Sequence, residues 1–337
     1  MTAPLISVLL PVRNAQGTIT RAIDSILNQS FKDFELVIIN DGSTDHTGDI
    51  LKTFHDDRMR IIQTAPQGIA PALNLGISES KCDLIARMDA DDFSHPDRLL
   101  KQYDFLRTHD DIDIVSCLIK HVGDDQNQKG YLEHVRWLND CVTSEAIFHA
   151  RFIDAPLAHP SVMMRKSMLT KFGGYSNTPG PEDYELWLRL LHQGIRFGKV
   201  PLTLFHWYDS PQRLSRTHQN YHQDAFFKLK AKFISLHLKK YFQKLPTLWI
   251  WGTGKSVFQK SQFLADYELD VAAYIDVVKN ERKPHFKTRP IFYFEAIPDP
   301  GEIFILSYVS DRVGKKKILA YLINKGYRPG IDFYMMA

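Results

Sequence analysis

The sequence predicts an α/β protein with a mainly parallel sheet flanked by helices, followed by a small second α/β domain. Three observations support this prediction. Short apolar runs alternate with segments of helical periodicity over the first hundred residues, which is typical of βαβ units. Polar clusters follow three of these runs, and the strand and helix pattern begins again near residue 246. We therefore place domains at 1–220 and 246–337, joined by a basic helical linker at 221–245.

The individual elements follow from the spacing of apolar residues. Short apolar runs rich in β-branched residues predict buried strands, whereas apolar residues three and four positions apart, such as Ile19, Ile23 and Ile26, predict helices. Predicted strands lie at 6–11, 35–40, 59–64, 83–88, 112–120, 270–276 and 302–310. Predicted helices lie at 17–29, 43–54, 72–80, 143–152, 181–194 and 226–245.

Composition excludes several classes of protein. The 337 residues carry a net charge of +3, which is too small to indicate nucleic-acid binding. Cys82, Cys117 and Cys141 form neither a disulfide framework nor a zinc motif, so a reducing compartment is expected. Neither a signal peptide nor an apolar run of about 18 residues is present. We expect a cytoplasmic protein, with the inner face of the membrane as an alternative location.

The strongest candidate site is RMDADD, at the end of the predicted strand 83–88. Asp89, Asp91 and Asp92 are crowded, and carboxylates this close repel one another unless a cation neutralises them. Mg²⁺ in particular bridges carboxylates to substrate phosphates. The alternative is an acidic turn that caps a helix beginning near Pro96. The motif taken alone does not decide between the two.

Two further polar clusters follow strands of the same sheet. The first predicted strand ends in PVRN and the second in NDGSTD, where Asp41 could accept hydrogen bonds from a ribose or base. Each cluster alone is explained by a turn and a helix cap. Because the carboxyl ends of parallel strands meet at one edge, the coincidence of three clusters favours a binding site.

The motif PEDYELW opens the helix predicted at 181–194. Acidic residues are common in a first turn because the helix dipole favours negative charge there. The functional interpretation is that Glu182 or Asp183 is a general base that removes a proton from an acceptor hydroxyl. The spacing of the residues does not choose between them.

The ordered set of motifs resembles a known family. The block from SVLLPVRN to INDGSTDHT, then GIAPALNLGI, IARMDADD and GPEDYELWLRLL, is similar to glycosyltransferase family 2, of the GT-A fold, over roughly residues 5–217. The resemblance implies an inverting, nucleotide-sugar-dependent enzyme that uses Mn²⁺ or Mg²⁺.

The resemblance also implies roles for single residues. Asp91 and Asp89 correspond to the DxD pair that binds the metal and the sugar diphosphate, and Asp183 corresponds to the catalytic base. His159 (in HPSVMMR), Glu182 and Trp187 are expected on the acceptor side. The residues expected on the donor side are Pro11, Arg13, Asn14, Asp41, Gly68, Asn74 and Asp89.

Three positions depart from the family pattern. Leu73 stands where many members carry an arginine, and Tyr208 and Ser210 stand where many carry an arginine and a histidine. Arg213 and Arg216 follow closely. Two interpretations of these arginines stay open: they bind the donor diphosphate, or they are ordinary surface residues.

The region after residue 220 has two notable features. The stretch 226–245 alternates lysines with apolar residues, so as a helix it either packs its apolar face within the protein, the commoner case, or lies on an anionic membrane. Then Gly252, Gly254 and Asp276 follow the order of a dinucleotide fingerprint, but Val257 replaces its third glycine. We interpret 246–337 as a Rossmann-like accessory module for oligomerisation or partner contact, with nucleotide binding as a minor alternative.

The combined prediction is an inverting glycosyltransferase that moves a sugar from a nucleotide-sugar, with UDP preferred, to a glycan or lipid-linked acceptor in bacterial surface polysaccharide synthesis. One alternative is a sugar-nucleotide nucleotidyltransferase, but PVRNAQGT is not the Gly-rich, basic loop typical of that class. The other is a catalytically silent scaffold, although Asp91 and Asp183 are both present.

Overall fold

The computed structural model contains two compact units. The first comprises Met1–Phe148 and Pro156–Thr217, and the second comprises His149–Ala155 and His218–Ala337. The structure describes residues 4–123, 129–209, 218–278 and 285–337.

The first unit contains an eight-stranded sheet with the order β3-β2-β1-β4-β7-β6-β8-β5. Strands β3, β2, β1 and β4 are parallel, and β7 is antiparallel to both of its neighbours. The predicted α/β class and mainly parallel sheet are thus confirmed. The strands are β1 (Ile6–Val12), β2 (Phe34–Asp41), β3 (Met59–Thr64), β4 (Leu84–Arg87), β5 (Phe93–Ser94), β6 (Ile114–Val122), β7 (Met163–Arg165) and β8 (Phe197–Tyr208).

Helices cover both faces of this sheet. Every residue of β1 and β2 is buried, which explains why both strands are apolar runs without polar alternation. Ile19, Ile23 and Ile26 of the first helix are buried as their spacing predicts, each stabilising the fold by roughly 2 kcal/mol. The helices are α1 (Ile19–Leu27), α2 (Thr47–Lys52), α3 (Ile69–Glu79), α4 (Arg98–Thr108), α5 (Lys129–Asp140), α6 (Ser144–Ala150), α7 (Lys166–Phe172) and α8 (Glu182–His192).

Two long elements of this unit were not predicted from the sequence, namely α5 and β8. Strand β8 contains Pro201, which normally argues against a strand because proline cannot donate to the ladder. The structure accommodates it at an irregularity: the register with β6 shifts between Cys117 and Leu118, so that Pro201 has no partner in the pairing.

The second unit contains a six-stranded sheet with the order β11-β12-β10-β9-β13-β14. All of these strands except β11 pair in parallel, and in chain order the five parallel strands run third, second, first, fourth, fifth. This is the doubly wound order. The strands are β9 (Thr247–Trp251), β10 (Val271–Asp276), β11 (His285–Phe286), β12 (Arg289–Tyr293), β13 (Ile303–Ser307) and β14 (Phe333–Met335).

The basic stretch forms α9 (Gln223–Tyr241) and belongs to the second unit. Its apolar residues Phe227, Ala231, Ile234 and Leu238 recur at helical spacing and are buried, as expected for a helix that packs within the protein. No helix in the described part of the chain is long and apolar enough to cross a membrane. The remaining helices are α10 (Lys255–Ser261) and α11 (Arg312–Asn324).

The segment His149–Ala155 is held within the second unit by buried charged side chains. Arg151 donates a hydrogen bond to the Tyr334 hydroxyl at 2.5 Å. The ammonium group of Lys230 donates to the carbonyl oxygens of Ile153 and Met336 at 2.8 and 2.9 Å. Burial lowers the pKa of Lys230 to about 8. A piece of chain flanked on both sides by the first unit is therefore part of the second.

Candidate active site

The three acidic residues after β4 come together as a compact cluster. Asp89, Asp91 and Asp92 offer carboxylate oxygens that all lie within 4.8 Å of one another. Asp92 is fully buried and accepts a hydrogen bond from the Tyr208 backbone N–H at 2.8 Å, whereas Asp89 keeps a quarter of its side chain exposed. Such a set of hard oxygen donors fits Mg²⁺ or Mn²⁺. In the part of the chain that the structure describes, no other three acidic, histidine or cysteine side chains come this close.

Arg87 is a residue of this site that the sequence argument missed. Its guanidinium lies 2.7 Å from the Asp89 carboxylate, and only 2% of the residue is exposed. Burial alone would lower the pKa of Arg87, but the negative charge of Asp89 more than offsets this, so that the pKa is raised. Arg87 stands two positions before the first aspartate of RMDADD. This proximity in the sequence could have indicated that Arg87 belongs to the site. Part of the negative charge of Asp89 is thus already compensated. At the neighbouring Asp91, Arg21 donates a hydrogen bond to the backbone carbonyl oxygen.

The loops after β1 and β2 are tied to each other. Asn14 has a positive φ of 54°, accepts a hydrogen bond on its side-chain oxygen from Thr44 N–H at 2.8 Å, and donates its own N–H to Ser43 Oγ at 3.0 Å. Pro11 is buried within β1, while Arg13 is exposed at the edge of the sheet. These predicted donor-side residues lie at the carboxyl end of the parallel strands, as expected.

Asp41 fastens the loop that leads into α3. Its two carboxylate oxygens accept hydrogen bonds from the backbone N–H groups of Gln67 and Gly68, both at 2.8 Å. Gly68 has φ +98°, a conformation that favours glycine. Each carboxylate oxygen has two lone-pair sites, so Asp41 can hold this loop and still accept a hydrogen bond from a ligand.

Asn74, expected on the donor side, is used within the protein. Its side-chain amide donates to the Tyr175 carbonyl and accepts from the Tyr175 N–H, both at 2.8 Å. Gly174 permits this approach, because a Cβ at that position would collide with the Asn74 side chain. The side-chain amide of Asn74 therefore fixes the segment before α8, and its donor-side role stays a prediction.

His159, Tyr175 and Glu182 form a buried polar group on the expected acceptor side. His159 Nε2 lies 2.7 Å from the Tyr175 hydroxyl, and its Nδ1 lies 3.9 Å from a Glu182 oxygen. Burial, and then the charge of Arg87, lower the pKa of His159 well below its ordinary value, so the ring is neutral. Arg87 is also stabilised by the charge of Glu182, which joins this group to the acidic cluster.

The first turn of α8 separates its two acidic residues by exposure. Glu182 is buried, whereas Asp183 is partly exposed and accepts a hydrogen bond from the Tyr184 N–H at 2.7 Å. Trp187 is fully buried and packs edge-on against His159 and Phe197. A buried ring cannot touch an acceptor, so Trp187 supports His159 from below, which corrects its expected role. Arg213 and Arg216 lie outside the described residues.

In the dinucleotide-like motif of the second unit, the acidic residue is hydrogen-bonded to its own neighbours. Asp276, at the end of β10, accepts hydrogen bonds from the Thr253 hydroxyl and from the Val278 N–H. Val257 stands where the fingerprint has its third glycine, and a Cβ at Gly252 would meet its methyl group at 3.0 Å. The acidic residue and the glycine loop thus pack against their own neighbours.

Comparisons with known proteins show the family of the chain. The sequence profile described as glycosyl transferase family 2 matches residues 7–173. The chain is 31% identical over 233 residues to the O-antigen biosynthesis glycosyltransferase WbnJ of Escherichia coli, covering 67% of this chain and 88% of WbnJ. It is 35% identical over 202 residues to the putative glycosyltransferase EpsE of Bacillus subtilis strain 168, covering 58% and 69%.

A solved structure is similar in fold. The crystal structure of S. aureus TarS 1-349 in complex with UDP-GlcNAc superposes with a TM-score of 0.53 at 17% identity, covering 78% of this chain and 71% of that one. Together with the sequence matches, the fold and the acidic cluster define the class of the protein as a glycosyltransferase. The chain belongs to glycosyl transferase family 2.

Proposed function

We propose that this chain is an inverting glycosyltransferase that moves a sugar from a UDP-sugar to a hydroxyl group of a glycan or lipid-linked acceptor in bacterial surface polysaccharide synthesis. The observation that carries the proposal is the acidic cluster of Asp89, Asp91 and Asp92, within 4.8 Å, at the carboxyl end of β4. The O-antigen biosynthesis relative WbnJ supports the acceptor class, and the TarS structure with UDP-GlcNAc supports the donor nucleotide.

The donor is proposed to bind at the carboxyl edge of the first sheet. Asp91, with Asp89, would hold Mn²⁺ or Mg²⁺, which when bound offsets the charge that develops on the leaving diphosphate. Asp41 would accept a hydrogen bond from the uridine, since its carboxylate is fixed by Gln67 and Gly68 before any ligand arrives.

Asp183 is proposed as the general base. Of the two acidic residues that open α8, it is the more exposed and so the one that an acceptor hydroxyl can reach. It takes the proton as the hydroxyl oxygen attacks the anomeric carbon from the face opposite the leaving diphosphate, which inverts the configuration. No covalent enzyme intermediate is needed.

Calorimetric titration with UDP, with and without Mn²⁺, tests the donor site. The wild type should bind UDP in a metal-dependent way, and Asp91→Ala should abolish that binding. Asp104→Ala, at an exposed position of α4, is the matched control and should bind like the wild type. If the wild type binds neither UDP nor GDP under any metal condition, the proposal is wrong.

Turnover tests the base separately. Asp183→Asn removes the proton acceptor but keeps its shape, so the rate should fall about 10²- to 10⁴-fold while the UDP affinity stays unchanged. Hydrolysis of a UDP-sugar, with water as the acceptor, measures this without a known glycan. A variant that still turns over at the wild-type rate would exclude Asp183 as the base.

A further inference from the structure

The segment Phe172–Tyr175, here called the strap, lies between α3 and α8 and is held from both sides. From α3, Asn74 makes two hydrogen bonds of 2.8 Å with the backbone of Tyr175. From α8, Arg189 donates to the carbonyl oxygens of Phe172, Gly173 and Gly174 at 2.5, 3.0 and 2.6 Å. Every one of these bonds is made with a backbone atom of the strap. Together they therefore fix its backbone conformation.

The two helices joined by the strap carry the two halves of the proposed reaction. The loop before α3 is fastened by Asp41 through Gln67 and Gly68, on the donor side. The first turn of α8 carries Asp183. A continuous series of hydrogen bonds thus leads from the proposed nucleotide-binding carboxylate to the helix of the proposed base.

The Tyr175 side chain is linked to the first turn of α8 through His159. Its hydroxyl lies 2.7 Å from His159 Nε2, while Nδ1 of the same ring faces Glu182 at 3.9 Å. A neutral ring that keeps its proton on Nδ1, toward the carboxylate, leaves Nε2 to accept from the hydroxyl. The ring is supported by Trp187, one turn further along α8.

We propose that Tyr175 is a positioning residue for the transfer reaction: through His159, it holds the first turn of α8 so that Asp183 faces the donor. This inference rests on the proposed function of Asp183. Tyr175 is buried and does not itself reach the acceptor. Misplacing a catalytic group by about 1 Å can cost roughly 100-fold in rate, so a single hydroxyl can matter here.

Tyr175→Phe tests the inference, because it removes the hydroxyl and keeps the ring. Hydrolysis of UDP-GlcNAc, UDP-glucose and UDP-galactose is measured together with the affinity for UDP and Mn²⁺. Turnover of whichever donor the wild type hydrolyses should fall roughly 10- to 100-fold, while the UDP affinity stays within about two-fold. Tyr103→Phe, in α4, where the ring packs against Phe31, is the matched control and should change neither quantity.

Amide exchange gives a second result that does not depend on turnover. In Tyr175→Phe, exchange in peptides covering 181–186 should accelerate, whereas peptides covering α3 should keep the wild-type rate. Unchanged exchange and unchanged turnover would overturn the inference, and so would a loss of turnover accompanied by an equal loss of UDP affinity and thermal stability. If the wild type shows no metal-dependent UDP binding, the proposed function is wrong, and this inference is wrong with it.

Discussion

Acidic residues lie at the carboxyl edges of both sheets, but the surroundings of their carboxylates differ. In the first unit, three carboxylates lie within 4.8 Å, and Arg87 pairs with one of them, Asp89. In the second unit, Asp276 is bound by the Thr253 hydroxyl and the Val278 N–H. The acidic residues stand at or just after the end of a strand in both units.

This difference indicates which of the two sheet edges is the better candidate for a ligand site. Clustered like charges cost free energy unless a cation neutralises them, so the acidic cluster of the first edge suits a divalent cation. At the second edge, the Asp276 carboxylate is hydrogen-bonded within its own unit. The buried charges of that unit also serve packing: Lys230 and Arg151 bind carbonyl and hydroxyl groups of the same unit. The acidic cluster of the first unit is therefore a better candidate for a ligand site than Asp276 of the second.

The largest expected effect concerns the segment His149–Ala155. Phe152 is buried against Tyr334, with ring centroids 4.9 Å apart. Phe152→Ala should lower the free energy of unfolding of the second unit by about 3 to 5 kcal/mol, because it leaves a cavity in the core. Hydrogen exchange followed by mass spectrometry should locate the loss in peptides from 218–337.

Phe34→Ala is the matched control for that variant. Phe34 is equally buried, but it lies in β2 of the first unit. Its loss should accelerate exchange in peptides from β1 and β2 and leave those from 218–337 unchanged. If Phe152→Ala instead produced the Phe34→Ala pattern, the segment would belong energetically to the first unit.

A smaller effect, dependent on pH, is expected at Lys230. Burial lowers its pKa from 10.5 to about 8, so between these values the unfolded chain holds a proton that the folded chain has lost. The free energy of unfolding therefore rises with pH in this window. Since one pKa unit corresponds to about 1.4 kcal/mol, the gain over Lys230→Met is at most about 3 kcal/mol.

Denaturant unfolding of wild type and Lys230→Met at pH 7.5, 9 and 10 measures this gain. All other titrating groups are common to the wild type and Lys230→Met. The difference between their free energies of unfolding therefore isolates the effect of Lys230. Lys228→Met, at an exposed position of the same helix, should differ from the wild type by a constant amount at every pH. A constant difference for Lys230→Met as well would mean that Lys230 keeps its proton when buried.

The strands around the site were predictable because they obey one simple rule. Strands β1, β2 and β4 are short apolar runs buried on both faces, and the polar residues after them had to meet at one edge. Strand β8 was missed because Pro201 interrupts its pattern, and only the pairing with β6 reveals the irregularity that accommodates it. The apolar pattern of neighbouring residues thus predicted β1 to β4, whereas β8 can be recognised only from its pairing with a distant strand.

The internal hydrogen bonds of the site could not be predicted from spacing. Asn74 and Tyr175 are 101 positions apart, and nothing in either motif says that a side-chain amide pairs with that backbone. The same holds for Trp187, which the resemblance placed on the acceptor side and the fold buries beneath His159. Residue type and order predicted which groups gather, whereas tertiary contacts decide which of them remain available.

The smallest expected effect tests the second edge directly. In Asp276→Asn, the amide can still accept from Val278 N–H and donate to the Thr253 hydroxyl, so stability should change by about 1 kcal/mol or less. UDP affinity in the presence of Mn²⁺, measured by titration of the full chain, should stay within about two-fold of the wild type, whereas Asp91→Asn should weaken it strongly. If Asp276→Asn weakened UDP binding more than about ten-fold, equal to 1.4 kcal/mol, the second edge would be a nucleotide site and the contrast between the two edges would fail.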